Sequence, residues 1–139
     1  MGSLICESQD FVQRARKWRK MLGGGMRQVG VLAAAGVVAI QKMVDRLAED
    51  HANARRLAQG LARIPNIIVH PGKVQTNIVI FEFTSAVSGA DFLQQLADEG
   101  VKFLHRGGQQ VRAVTNRMVS AEDVDEALAR MERLMSKLD

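Results

Sequence analysis

Hydrophobic positions along this chain change period twice. Apolar side chains recur at Phe11, Ala15, Trp18 and Leu22, which is one helical stripe. Arg14, Arg16, Lys17, Arg19 and Lys20 fill the remaining faces of that helix. Ser8 or Asp10 can cap it, and Gly23-Gly24-Gly25 end it. Ahead of it, Gly2 to Cys6 is a short apolar run that predicts a strand belonging to a larger sheet. A second helix is expected from about Arg27 to Ile64. Its first half, through Ile40, is apolar almost all round and calls for burial on most sides. Its second half is amphipathic, with Met43, Leu47, Ala54, Leu57 or Ala58, and Leu61 at helical spacing. Such a helix would span roughly 55 Å. That is long for a domain of this size and natural for a bridge between two domains. Pro65-Asn66 stops it.

Beyond Pro65 the period becomes that of strands. Ile67 to His70 reads as a strand, Pro71-Gly72 as a turn, and Asn77 to Phe83 as a second strand rich in β-branched and aromatic residues. Ser88 opens a helix with Phe92, Leu93, Leu96 and Ala97 on its apolar side, and Gly100 closes it. Val101 to Leu104 and Val111 to Thr115 are expected as strands around a Gly107-Gly108 turn. Ser120 caps a last helix carrying Val124, Leu128, Met131, and Leu134 or Met135 on one stripe. The order β-β-α-β-β-α makes a small sheet with helices on one face, an α+β unit.

Composition narrows the class. The 139 residues suit one domain, or a small domain with an appendage. They are 47% hydrophobic but only 4% aromatic, so the core must be aliphatic. The net charge of +4 is concentrated between Arg14 and Lys20. Nucleic acid is a poor partner, because the strands lack exposed aromatics interleaved with basic residues. Cys6 is the single cysteine, so no intramolecular disulfide can form. That suits a reducing compartment such as the cytoplasm; a mitochondrial location would need an upstream targeting segment. The longest apolar run, Val29 to Ile40, falls short of the about 20 residues of a membrane span. The N-terminus carries no secretory pattern, and Cys6 stands where myristoylation would want Ser or Thr. No set of His, Cys, Asp and Glu has metal-ligand spacing; His51, His70 and His105 stand apart. Neither a Walker loop nor a dinucleotide fingerprint occurs.

The chemistry concentrates at two places. Gly23-Gly24-Gly25 is followed closely by Arg27, expected at the N-terminus of the next helix. Free N–H groups, the macrodipole and a guanidinium together favour an anion such as phosphate. The competing reading is a helical corner whose glycines only allow tight packing. Arg112 is the second place, a charge inside the apolar run Val111 to Val114. It needs either a partner or a solvent-facing position.

The words around these residues are specific. Trp18 to Gly36 reads WRKMLGGGMRQVGVLAAAG, and Glu49 to Asn53 reads EDHAN. The chain resembles the C-terminal half of low-specificity L-threonine aldolases, lyases that use pyridoxal phosphate (PLP) and share the aspartate-aminotransferase-like fold type I. The resemblance runs from Gly2-Ser3-Leu4 to the last helix, more loosely through Val111 to Thr115. It implies three parts: residues 1–28 end a large PLP-binding domain, 29–64 form a connecting helix, and 65–139 form the small domain. It also implies that Arg27, with Lys20 beside it, contacts the PLP phosphate, with Arg27 reaching across a dimer interface. Arg112 would bind the α-carboxylate of the amino-acid substrate. Cleavage of threonine or allo-threonine to glycine and acetaldehyde is the family's reaction. Asn116 departs from the histidine of many relatives. The family's Schiff-base lysine lies in a Ser-Lys-Gly-Leu-Gly segment that this chain does not contain. The resemblance therefore implies an inactive segment by itself, joined to others as a homo-oligomer through the glycine triplet and the long helix. The alternative is a catalytically dead, self-associating interaction protein.

Overall fold

The computed structural model describes residues 4–84 and 87–137. The chain divides into two units, the first running to Asp45 and the second beginning at Arg46.

The first unit holds two helices, α1 (Gln9–Met21) and α2 (Gly30–Lys42). The stripe of Phe11, Ala15, Trp18 and Leu22 does not become a core: neither helix buries a single residue. Ser8 takes the N-cap position of α1 without a side-chain bond. The strand expected over Gly2 to Cys6 is not formed at Leu4 to Cys6, and its first residues lie outside those described. A strand needs a neighbour for its backbone groups, and the described residues provide none there.

The expected single helix from Arg27 to Ile64 is two helices. After α2 the chain turns at Met43 to Arg46, and α3 runs over Leu47–Leu61. Val44 and Asp45 are weak helix formers. Arg46 then folds onto Asp50 and Glu49 in the first turn of α3, which fixes a new helix start. The break falls where the pattern changes from apolar all round to one apolar stripe. The second half of the expected connecting helix thus belongs to the second unit.

That unit has the expected β-β-α-β-β-α order. Strands β1 (Ile67–Val69), β2 (Ile78–Phe83), β3 (Leu104–Gly107) and β4 (Gln110–Val114) form one antiparallel sheet in the order β1-β2-β4-β3. A short 3₁₀ turn, Pro71–Lys73, lies between β1 and β2. Helix α4 (Gly89–Asp98) follows β2, and α5 (Ala121–Met135) ends the fold. Period-2 alternation sends Val79, Phe81 and Phe83 of β2 and Val111 and Ala113 of β4 inward. They join Ala54, Leu57, Ala58 and Leu61 of α3, Phe92 and Leu96 of α4, and Val124, Met131 and Leu134 of α5 in one core. Four of the six aromatics are gathered there: Phe81 meets Phe83 and Phe103 edge to face, and Phe83 meets Phe92 at 5.1 Å. The α5 start is a complete capping box. Asp123 N–H donates to Ser120 Oγ at 3.1 Å, and Ser120 N–H to Asp123 Oδ2 at 2.8 Å. One strand is displaced from its expected place. Val101 to Phe103 is irregular, and β3 begins at Leu104, the last residue that pairs with β4 across Arg112.

Candidate functional site

The glycine triplet closes α1 with a Schellman turn. Gly24 N–H donates to the Arg19 carbonyl at 2.8 Å and Gly23 N–H to the Lys20 carbonyl at 3.2 Å, with Gly23 at φ +83°. The next two glycines keep side chains close over that turn. A Cβ on Gly24 would lie 2.8 Å from Arg19 Cγ, and one on Gly25 would lie 3.1 Å from Lys20 Nζ. The Lys20 ammonium therefore rests on the glycine backbone. Arg27 stands two residues later in a turn with Gln28 at φ +50°. The helix begins only at Gly30, so Arg27 precedes its N-terminus rather than occupying it.

Arg112 occupies the centre of β4, with its side chain on the face opposite the core. Ile80 of β2 and Leu104 of β3 are its direct cross-strand neighbours. Leu104 is 58% exposed, while Arg112 is half-buried. Its two direct neighbours on that face are thus apolar, while Glu82 and Gln110, bonded to each other at 3.0 Å, stand further along the same face. Among the described residues, Lys20, Arg27 and Arg112 have no carboxylate partner. Lys20 and Arg27 belong to the first unit and Arg112 to the second.

Behind Arg112 is a polar group that the sequence pattern conceals. Asp50 sits on the buried side of α3, only 4% exposed, where helical spacing calls for an apolar residue. Both Arg46 guanidinium nitrogens donate to its carboxylate, at 3.0 and 3.1 Å. Its backbone carbonyl accepts the Thr115 hydroxyl at 2.6 Å, and Thr115 is 2% exposed. Thr115 and Asn77 make three contacts: Thr115 N–H to the Asn77 carbonyl at 3.0 Å, Asn77 Nδ2 to the Thr115 carbonyl at 2.7 Å, and the Thr115 hydroxyl to the Asn77 carbonyl at a longer 3.4 Å. A carboxylate in the register of an apolar stripe was the available signal.

The remaining candidates have local duties. Asn116 Oδ1 accepts Met118 N–H at 2.9 Å and shapes the turn after β4. His105 Nε2 bonds the Gly108 carbonyl at 2.9 Å. Among the described residues no group of three or more His, Cys, Asp and Glu could hold a metal ion. No helix among them is long and apolar enough to cross a membrane.

An antiparallel four-stranded sheet covered on one face, preceded by helices and a glycine-rich cationic turn, is the arrangement of the C-terminal part of a fold type I PLP enzyme. Solved structures of that fold align with it. The cysteine desulfurase CsdA from Escherichia coli matches with a TM-score of 0.63 at 22% identity, over 82% of this chain and 32% of that one. The cystine C-S lyase C-DES matches with a TM-score of 0.60 at 20% identity, over 75% of this chain and 28% of that one. Residues 1–84 match the model of the beta-eliminating lyase family, and the chain belongs to that family. The family is PLP-dependent. Low-specificity L-threonine aldolase 1 of Arabidopsis thaliana is 34% identical over 97% of this chain and 38% of its own length. The low specificity L-threonine aldolase of Escherichia coli K12 is 54% identical, over 44% of this chain and 18% of its own length. The chain thus spans 38% of the length of the first of these relatives. The residues present fit a phosphate group: glycines whose Cβ atoms would crowd the turn, a lysine resting on them, and an arginine without a counter-charge close behind.

Proposed function

We propose that this chain supplies the phosphate contact and the carboxylate clamp of a threonine-aldolase-type active site. The observation that carries the reading is Arg112: a half-buried arginine without a carboxylate partner among the described residues, flanked across the sheet by the apolar Ile80 and Leu104. A guanidinium in that setting binds a carboxylate through two parallel hydrogen bonds, and none of the described carboxylates competes for it. Arg27 and Lys20 neutralise and hold a phosphate. Bound PLP supplies the electron sink for the charge left at Cα when threonine or allo-threonine breaks to glycine and acetaldehyde. Arg112 holds the substrate carboxylate and so orients the Cα–Cβ bond that breaks. The 139 residues contain no Ser-Lys-Gly segment, so this reading gives them a contributing role and no turnover by themselves.

To test it, the chain is joined to the preceding part of an Arabidopsis or Escherichia coli relative, and threonine cleavage is measured. Arg27→Ala weakens PLP affinity and Arg112→Ala raises KM for threonine. Each loses a charged hydrogen-bonding partner worth on the order of 2–4 kcal/mol, roughly 30- to 1,000-fold. Parental PLP affinity and parental kcat/KM in both variants refute the assignment.

A second reading, of a self-associating protein without catalysis, draws on the first unit. Val31, Leu32, Val37, Val38 and Ile40 of α2 are all about half exposed or more, Val31 at 78%. An apolar surface of that extent favours an interface. Self-association through α2 and the glycine triplet is compatible with both readings. Light scattering on the eluting chain tests it, and a monomer that binds no hydrophobic dye refutes it. The absence of activity in the joined enzyme, with association retained, favours the second reading.

A further inference from the structure

We propose that Thr115, held by Asp50, is a positioning residue for Arg112. The proposal rests on the reading of Arg112 as a carboxylate clamp and assigns the device that aims it.

Arg112 stands where β4 loses half of its support. Its pairing with Leu104 is the last contact between β3 and β4, since Val101 to Phe103 do not pair. From Ala113 onward the strand is held along one edge only, by Val79 and Ile78 of β2. A strand end with one free edge frays, because each of its residues has lost one ladder. Here the end is tied from below. The Thr115 hydroxyl donates to the Asp50 carbonyl of α3 at 2.6 Å, and the Asn77 side chain closes on the Thr115 carbonyl at 2.7 Å. The acceptor is the main-chain carbonyl of Asp50, held within α3, while the Asp50 carboxylate takes the two-nitrogen grip of Arg46. A buried carboxylate costs several kcal/mol of solvation, which the paired guanidinium offsets.

Alternation places the Thr115 and Arg112 side chains on opposite faces of β4. Thr115 thus acts on Arg112 through the backbone. With the tie cut, the segment Ala113 to Thr115 is free to twist about its β2 edge, and the guanidinium loses its fixed direction.

The experiment uses the full 139-residue chain labelled with nitrogen-15. The Arg112 Nε–Hε signal is assigned by its loss in Arg112→Lys. Thr115→Val keeps the volume and removes the donor. It is expected to shift and broaden the Arg112 signal and to speed exchange of the Ala113 amide about tenfold, the scale of one buried hydrogen bond. Amides of β1 and α4 keep their parental exchange, which separates a local change from general loosening. Thr115→Ser restores the parental signal. Asp50→Asn keeps the main-chain carbonyl that accepts the Thr115 hydroxyl and leaves the Arg112 signal in place. A folded Thr115→Val chain with the parental Arg112 signal overturns the proposal, as does a Thr115→Ser chain that behaves like Thr115→Val. If Thr115→Val does not fold, an unmoved Arg112 signal in Thr115→Ala, which also lacks the donor, overturns it instead. A glycine titration of the same samples addresses the carboxylate reading separately. An Arg112 signal that ignores glycine in the parental chain counts against the clamp, while the ligand-free signal still decides the role of Thr115.

Discussion

Gly60→Ala is the most informative single change in the second unit. Gly60 is buried on α3 where it meets α5, and the space a methyl group would need belongs to Leu128. A Cβ at position 60 would lie 2.6 Å from Leu128 Cδ2 and 2.9 Å from its Cγ, and nearer still to Cδ1. The whole branched end of the leucine is involved, so a rotation of one methyl does not relieve the clash. Two effects compete. Alanine in a helix interior gains about 1 kcal/mol over glycine. Overfilling a packed site costs about 1–3 kcal/mol, and a collision with three carbons belongs at the upper end. The expected net result is a loss of about 1–2 kcal/mol. For a domain of 60–100 residues that lowers Tm by roughly 5–15 °C. Urea unfolding followed by circular dichroism measures it. In Gly60→Ala/Leu128→Ala the new methyl enters space the leucine has left, so the double variant is more stable than the sum of the single losses by at least about 1 kcal/mol. A Gly60→Ala chain more stable than the parent, or strict additivity in the cycle, would refute the reasoning.

Three further outcomes are expected. Ser120→Ala removes the acceptor for Asp123 N–H and lowers stability by about 1 kcal/mol in the same urea assay. It also moves the Glu122 titration upward, because its own backbone N–H and then the Ser120 side chain hold that carboxyl below its ordinary range. Asp125 titrates below its ordinary value of 3.8, because the Arg56 guanidinium donates to both its oxygens, at 2.5 and 2.6 Å. The pair stabilises the fold above that ordinary value, and the contribution is lost as pH falls through the lowered one. Carbon-13 spectra of the carboxyl in the parent and in Arg56→Ala check this, and an unmoved Asp125 midpoint in the variant contradicts it. Finally, PLP mixed with the 139-residue chain and treated with borohydride labels no single lysine stoichiometrically, which peptide mapping by mass spectrometry reads directly.

Much of the second unit was legible because burial there follows periodicity. The stripe Ala54, Leu57, Ala58, Leu61 and the alternation Val79, Phe81, Phe83 are satisfied within the unit that carries them. The same logic failed for Phe11, Ala15, Trp18 and Leu22, whose stripe finds no cover within these helices. Periodicity states what a helix needs and is silent on who supplies it. The break at Met43 to Arg46 was missed because apolar spacing carries across it. Only the ionic geometry of Arg46 with Glu49 and Asp50 marks the new start. The late start of β3 was missed because Val101 and Phe103 look like strand residues, yet both serve the core from an irregular path. Of the site, Lys20, Arg27 and Arg112 could be named from motifs. Thr115 and Asp50 could not, since their bond joins residues far apart in the chain, and neither residue type announces it.

The strand order also sets a timetable. β1 with β2, and β3 with β4, are hairpins whose ends lie close in sequence. Closing them is rapid, on the order of microseconds. The seam between β2 and β4 is different, because Val79 must find Ala113 and Phe81 must find Val111 across the span that holds α4. Loop closure over that span comes before any reward, so it governs the rate of assembly. Trimming Val79 to alanine therefore slows refolding as well as weakening the product, whereas Gly60→Ala, at a helix contact outside the seam, acts mainly by hastening unfolding. Thr115, the proposed positioning residue of Arg112, stands one residue beyond the last rung of that seam, Ile78 with Val114. On this timetable Arg112 acquires its direction only when the slowest step of folding is complete.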